Sequence, residues 1–300
     1  MAEVAINPPA HRFGRVNAIL NARGTRHHER GFAGPLSLKS VVRGSAAWET
    51  RDGRYELTPG CVLLLNDGEE YSITVDALQP VETFCVFFER GFVEDAFRAT
   101  VTRSAELLDD PDRAGAISFS ERLQFDSPLV AEMAQARRVV RASGALSGGG
   151  APEARTTPRD ALSESFYTLA LQLVRTRRDV DARVAQLPSV RASTRDELAR
   201  RLEVATSYLH ANCTRGVSVA EAARAACLSP FHFHRLFTRF HGVTPHRYLS
   251  RLRLERARAQ LRHSGCTILD AALASGFESL GSFAALYKRT FGVTPGAERR

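Results

Sequence analysis

Arg235 follows His234 in the run Ser229-Pro230-Phe231-His232-Phe233-His234-Arg235-Leu236-Phe237-Thr238-Arg239-Phe240. A guanidinium can donate two parallel hydrogen bonds to one guanine edge, and an imidazole can donate or accept beside it. That chemistry needs both side chains exposed on one face of a short helix. At 100° per residue, Phe233, Leu236, Phe237 and Phe240 gather on one side as an apolar face. Phe231, His234, Arg235 and Thr238 fall opposite, flanked by His232 and Arg239, and these six are the candidate reading residues. Fifty positions later Gly281, Ser282, Ala285, Lys288 and Arg289 surround a second apolar face of Phe283, Leu286 and Tyr287. Ala285 stands where the first set has Arg235 and offers only a methyl group. Lys288 and Arg289 suit phosphate contact, which positions a protein on a duplex without reading sequence.

The elements that must position these residues are themselves duplicated. Val219–Leu228 matches Ile268–Phe277 at an offset of 49 residues, and Phe233–Pro245 matches Phe283–Pro295 at an offset of 50. In the first copy Ser218 and Glu221 have the spacing of a capping box. Ser229-Pro230 caps and starts a second helix, with proline where its missing N–H costs nothing. Gly242 ends it. The two units are placed at 218–241 and 267–291. Thr244-Pro245 starts a connecting helix to about His263, and about 19 residues span nearly 30 Å. That would hold two recognition helices close to one turn of DNA apart, about 34 Å. Arg247, Arg251, Arg258 and Arg262 form a narrow stripe on this helix, which reads as a solvated face or as phosphate contacts. Upstream, Thr194 caps a helix whose face is Leu198, Leu202, Ala205, Tyr208 and Leu209.

Residues of roughly 195–300 resemble the paired helix-turn-helix domain of the AraC/XylS family of bacterial transcription regulators. The resemblance rests on Ser229-Pro230, Arg235-Leu236-Phe237, Gly242-Val243-Thr244-Pro245, Gly276-Phe277, Phe283, Tyr287-Lys288-Arg289 and Phe291-Gly292-Val293-Thr294-Pro295. It implies a ligand-sensing domain upstream, promoter DNA and RNA polymerase as partners, and some role in dimerisation for the helices between the two domains.

Charge agrees with this division. From residue 191 onward 18 Lys and Arg stand against 8 Asp and Glu, a net +10, while the first 190 residues carry 23 against 25, a net −2. A basic module joined to a near-neutral one is the electrostatic footprint of nucleic-acid binding. Five cysteines, an odd number without C-x-x-C spacing, argue against a disulfide framework or a zinc site and suit a reducing compartment. Met1–Gly14 has no apolar core of a signal peptide, and no apolar run approaches a membrane span, so a cytoplasmic protein without a membrane partner is expected.

Residues 1–15 are read as an N-terminal arm and 16–190 as the sensing domain. Short alternating runs at Leu36–Val41, Cys61–Leu65, Tyr71–Val75 and Thr83–Phe88, punctuated by Asp52-Gly53, Pro59-Gly60 and Asn66-Asp67-Gly68, indicate an antiparallel β-barrel. Gly53–Tyr71 resembles the central turn of a small cupin barrel. Helices are expected over Gly91–Thr100, Pro128–Ala142 and Asp160 to about Arg178, with a mobile loop at 143–158 and a polar linker at Asp181–Ser193. The last helix can pack on the barrel or on a partner subunit. The expected fold is thus a cupin-like β domain with trailing helices, then an all-α double helix-turn-helix over 191–300.

The barrel should hold a small-molecule effector in an apolar pocket, for which Trp48, Tyr55, Tyr71, Phe84 and Val86 are the candidate lining residues. Metal-binding cupins place a histidine near the end of the turn that here holds Tyr71. His27-His28-Glu29 could supply two ligands, but no third converges, so neither metal nor cofactor is expected. A cupin-type enzyme fused to a DNA-binding domain is the alternative. A DNA-repair alkyl-transferase would need an activated cysteine thiolate, which no recognisable motif supplies. A purely architectural DNA-binding protein would leave the barrel unexplained.

Overall fold

The computed structural model describes residues 4–101, 117–125, 127–143, 158–187, 192–263 and 265–299. Most of the expected 143–158 loop lies outside them. The N-terminal half is a curled eight-stranded half-barrel. Its strands are β1 (Val4–Ile6), β2 (Asn17–Ala33), β3 (Ser37–Arg43), β4 (Ala46–Thr50), β5 (Gly53–Leu57), β6 (Cys61–Leu65), β7 (Glu70–Phe87) and β8 (Leu123–Phe125). They follow the order β1-β2-β7-β3-β6-β8, with β4 joining β7 to β5. All pairings are antiparallel except β1 on β2, so part of the expected arm is a strand of the sheet. The runs at 71–75 and 83–88 are two parts of one long strand, β7. Its pairing with β2 shifts register between Gly24 and Arg26. Pro80 sits at that irregularity, where a missing N–H is tolerated.

The sheet is buried on both sides. Ala18, Trp48, Leu63, Cys85 and Phe87 face the interior of the curl. Ile19, Leu38, Leu64, Phe84 and Val86 face outward under three helices. These are α1 (Phe92–Val101), α2 (Pro128–Ala142) and α3 (Pro158–Ala185). Ser127 caps α2 by accepting from the Val130 N–H. The apolar stripe of Leu162, Phe166, Leu169, Ala170 and Leu173 on α3 is buried in this outer layer, so it packs within the chain.

The C-terminal half is all helical: α4 (Ala192–Asn212), α5 (Val219–Ala225), α6 (Pro230–His241), α7 (Pro245–His263), α8 (Ile268–Ala274), α9 (Leu280–Phe291) and α10 (Pro295–Glu298). Helix α4 starts two residues before Thr194, and α7 has the expected bounds. The turns between α5 and α6 and between α8 and α9 need one left-handed residue. It is Cys227 (φ 52°) in the first copy and Gly276 (φ 83°) in the second. A Cβ at Gly276 would meet the Cys213 carbonyl oxygen at 2.9 Å, so glycine is required there by space as well as by φ.

Candidate nucleic-acid interface and the barrel cavity

Both helix-turn-helix units are built from local rules. Ser218 and Glu221 close a reciprocal capping box on α5, and Thr267 and Asp270 do the same on α8. Ser229 accepts from the His232 N–H to start α6, and Ser279 accepts from the Ser282 N–H to start α9. Gly242 and Gly292 end these helices in the left-handed conformation. Phe233, Leu236, Phe237 and Phe240 are buried, as the wheel requires. Phe283 and Tyr287 are buried in the second copy, with Leu286 packed at the edge of that core.

The opposite faces point outward. On α6, Phe231, His234 and Arg235 are exposed, and His232 and Thr238 are half-buried. The Thr238 hydroxyl donates to the His234 carbonyl at 2.7 Å, so its free valence is that of an acceptor. Among the described residues no ion pair engages Arg235. Arg239, by contrast, donates through Nε to the Gln186 carbonyl at 2.9 Å, a contact with the chain that leaves α3. On α9, Gly281, Ser282, Ala285, Lys288 and Arg289 are all exposed.

The arginine stripe on α7 divides. Arg251 pairs with Glu255 at 2.8 Å. Arg258 pairs at 2.7 Å with Glu298, which also pairs with Arg262. Burial pushes the Glu298 carboxyl up, but the hydrogen bonds from both arginines outweigh it and hold it below the usual range. Arg258 also lies 4.4 Å from the ring centroid of Phe291. Arg258 and Arg262 therefore anchor α10 and the second copy to the connecting helix. Of the four, Arg247 carries no ion pair among the described residues and faces a groove of about 730 Å³ between α7 and α9 with Arg289.

The first copy is seated on the half-barrel. Ala205, Leu209, Phe233 and Leu249 belong to the same buried cluster as Trp48, Tyr55 and Leu63. Polar contacts stitch this seam. The Arg256 guanidinium, 1% exposed, donates to the Glu56 carbonyl at 2.5 Å. Asn212 donates to the Asp52 carbonyl at 3.3 Å. His210 accepts from the Leu123 N–H at 3.1 Å through Nδ1, which leaves Nε2–H to donate to Tyr248 Oη at 2.8 Å. One imidazole thus joins β8 to α7. Burial, with Arg122 nearby, lowers its pKa to about 3, so it is neutral. His241 lies against Arg183 and Thr206 and is lowered to about 3 by burial, then by Arg183 and His210.

A cavity of about 320 Å³ opens on the inner face of the half-barrel. Trp48 and Tyr71 line it as expected, with Phe13, Phe32 and Phe87 as further walls. Tyr55 does not; it is buried near Arg122, Asp52 and Cys213, at the seam with α4. Phe84 and Val86 are also displaced from their expected role. They lie on the outer face under the helices, because alternate residues of a strand point to opposite sides and the lining positions are Thr83, Cys85 and Phe87. Lys39 lines the cavity too, although nothing in the sequence reading singled it out.

His27 and His28 are neighbours on β2 and both border a shallow groove with Thr74 and Asp76, where among the described residues no group of three or more His, Cys, Asp or Glu gathers in a way that could hold a metal ion. His28 meets Thr74 Oγ1 at 3.0 Å and accepts from Arg30 at 2.5 Å, while His27 borders the cavity. The cysteines are free, and burial pushes the thiols of Cys61, Cys85 and Cys213 up. None of these three is an activated thiolate of the kind alkyl transfer requires. Among the described residues no helix is long and apolar enough to cross a membrane.

Fold and surface together define a two-part protein, a curled sensor-type sheet followed by a duplicated helix-turn-helix. Residues 222–300 match a family described as a helix-turn-helix domain, and residues 19–143 match the AraC-like ligand binding domain. The chain belongs to the AraC/XylS family. The HTH-type transcriptional activator RhaS of Escherichia coli is 37% identical over 97 residues, which is 32% of this chain and 35% of that protein. The chain thus spans about a third of the length of the curated relatives it matches. An AraC-type regulator from Chromobacterium violaceum is 32% identical, covering 36% of this chain and 94% of that one with a TM-score of 0.32. ToxT from Vibrio cholerae is 12% identical, covering 94% of this chain and 97% of that one with a TM-score of 0.35.

Proposed function

We propose that the protein is a small-molecule-responsive transcription regulator of the cytoplasm that binds double-stranded promoter DNA through α6 and α9 in successive major grooves. The observation that carries this reading is the exposed face of Phe231, His234 and Arg235 on a capped helix of a duplicated motif. Arg235 and His234 read bases, with His232 and Thr238 beside them. Arg239 keeps a place at the edge of that surface but is held by Gln186. Gly281, Ser282 and Ala285 bring the α9 backbone close to the duplex, and Lys288 and Arg289 hold phosphates. The half-barrel holds the effector. RNA polymerase is the partner that activation requires, and a homodimer is the form in which two such chains occupy adjacent sites.

The division between residues 16–190 and 191–300 is one of labour, since the first helix-turn-helix shares its core with the sheet. The enzyme alternative needs a metal-ligand set, and among the described residues no group of three or more His, Cys, Asp or Glu could hold one. The test is selection of binding sites from random DNA with the full chain, followed by titration against the selected and scrambled duplexes at several salt concentrations. The expected result is a preferred site and an affinity that falls steeply with salt. Salt-insensitive binding, or no preference for any duplex, overturns the reading.

A further inference from the structure

Two recognition helices in successive major grooves leave one minor groove facing the protein between them. The connecting helix α7 spans that interval, and most of its arginines are committed elsewhere. Arg251 is held by Glu255, and Arg258 and Arg262 are held by Glu298. Arg253 donates to the Cys213 and Arg215 carbonyls at 2.6 Å each. Arg256 is buried against Glu56. Arg247 is different: it is exposed, and among the described residues no ion pair engages it.

Its place is as informative as its freedom. Arg247 lies in the first turn of α7, five residues after the glycine that ends α6. The groove of about 730 Å³ that it borders runs from there to α9, where Arg289 stands on the wall beside Lys288 of the second reading face. The groove thus joins the flanks of the two reading faces. Phe125, Val243, Leu254, Leu286 and Phe291 give it apolar walls, which offer a guanidinium no acceptor. Glu255, the acid in its wall, is taken by Arg251.

We propose that Arg247 enters the minor groove between the two half-sites and selects A·T pairs there. This deepens, and rests on, the reading of α6 and α9 as major-groove helices. An A·T pair shows only acceptors in the minor groove, whereas guanine adds a 2-amino donor that opposes a guanidinium. A·T runs also narrow the groove and strengthen its negative potential, which attracts an inserted arginine. A guanidinium is more weakly hydrated than an ammonium, so it enters a narrow groove at lower cost than lysine. The preference lies at base pairs that neither recognition helix touches, about 5 base pairs from the centre of each half-site. It gives the site a second source of specificity, where Gly281 and Ala285 leave α9 with little to read.

The experiment takes the duplex selected from random DNA and varies only the base pairs midway between its two contacted segments, as A·T, G·C or I·C. Inosine presents guanine's pattern to the major groove but lacks the 2-amino group, so an I·C spacer resembles A·T in the minor groove alone. The full chain is expected to bind A·T and I·C spacers alike and the G·C spacer about fivefold more weakly, the lower end of a base-pair mismatch. Arg247→Ala should bring the three spacers together and make the slope of log affinity against log salt shallower by about one. Arg247→Lys should keep that slope and lose most of the spacer preference. An I·C spacer that binds like G·C, or a preference that survives Arg247→Ala, overturns the assignment. Equal weakening of all three spacers by Arg247→Ala, with the preference intact, makes Arg247 a phosphate anchor and overturns it too. A chain that selects no duplex fails at the regulator reading; one that selects a duplex and ignores its spacer fails here alone.

Discussion

The two helix-turn-helix units share nearly every local device and differ in what surrounds them. Each has a capping box, a serine cap on its second helix, a left-handed turn residue and a left-handed glycine stop. Yet the first unit contributes Ala222, Phe233, Leu236 and Phe237 to one core with the half-barrel. The second closes a small core of its own around Leu254, Ala271, Phe283 and Tyr287. Sequence repetition therefore specifies the motif, and packing partners specify its role. A change at the sheet reaches α6 through direct contact. It reaches the second copy through α7, by Arg256 and the Glu298 anchor, and through the end of α4, where Gly276 packs against the Cys213 carbonyl.

The largest test of this difference is acidification. His210 and His241 are neutral and buried at the seam of the first copy, with pKa values lowered to about 3. The unfolded chain binds their protons near pH 6.5, so the stability they carry is present above that value and is lost as pH falls toward 3. Two such groups remove roughly 4 kcal/mol between pH 8 and pH 5. Hydrogen exchange should show α4, α6 and the sheet losing protection first on acidification, while α8 and α9 keep theirs. The double variant His210→Gln/His241→Gln should flatten that slope. Equal loss of protection in both copies would mean that their cores are not separate.

Next in size is the reading face. Arg235→Ala should lose roughly 1–3 kcal/mol of discrimination, with specificity relaxed at one or two base positions. The matching change in the second copy, Ala285→Arg, should add contacts without removing any. Titration of both variants against selected and singly substituted duplexes measures the asymmetry. Arg235→Ala binding with wild-type selectivity would break it.

A third effect belongs to the second copy alone. Glu298 is nearly buried and holds Arg258 and Arg262, which are 24% and 33% exposed. Those exposures temper the cost, so Glu298→Gln should destabilise by about 1–2 kcal/mol. The loss should appear as faster exchange in α8 and α9, with α5 and α6 unchanged.

How far these features were legible follows from their range in the chain. The caps, helix faces and stops of both units depend on residues within four positions, and the sequence announces them. The bounds of α7 were equally plain. The inner and outer faces of the sheet were not, because β3 and β7 are buried on both sides and alternation cannot then distinguish them. Phe84 and Val86 are therefore indistinguishable in sequence from Cys85 and Phe87, one residue out of phase, and Lys39 stands among apolar neighbours that mask it. The seam was beyond reach. Arg256 meets Glu56 across 200 residues, and nothing local to either marks the pair.

The smallest expected effect concerns Lys288, which stands in the second copy where the first has Thr238, and which is exposed beside the small core of that copy. As a phosphate anchor it contributes charge without sequence information. Lys288→Ala should therefore weaken selected and scrambled duplexes alike, by about 0.5–1 kcal/mol, the scale of an exposed charge contact. The slope of log affinity against log salt should become shallower by about one, because one fewer counterion is released. The comparison with Arg235→Ala is made in the same titrations, at three or more salt concentrations. If Lys288→Ala erases discrimination while Arg235→Ala weakens both duplexes equally, reader and anchor are reversed, and the second copy, not the one seated on the half-barrel, chooses the site.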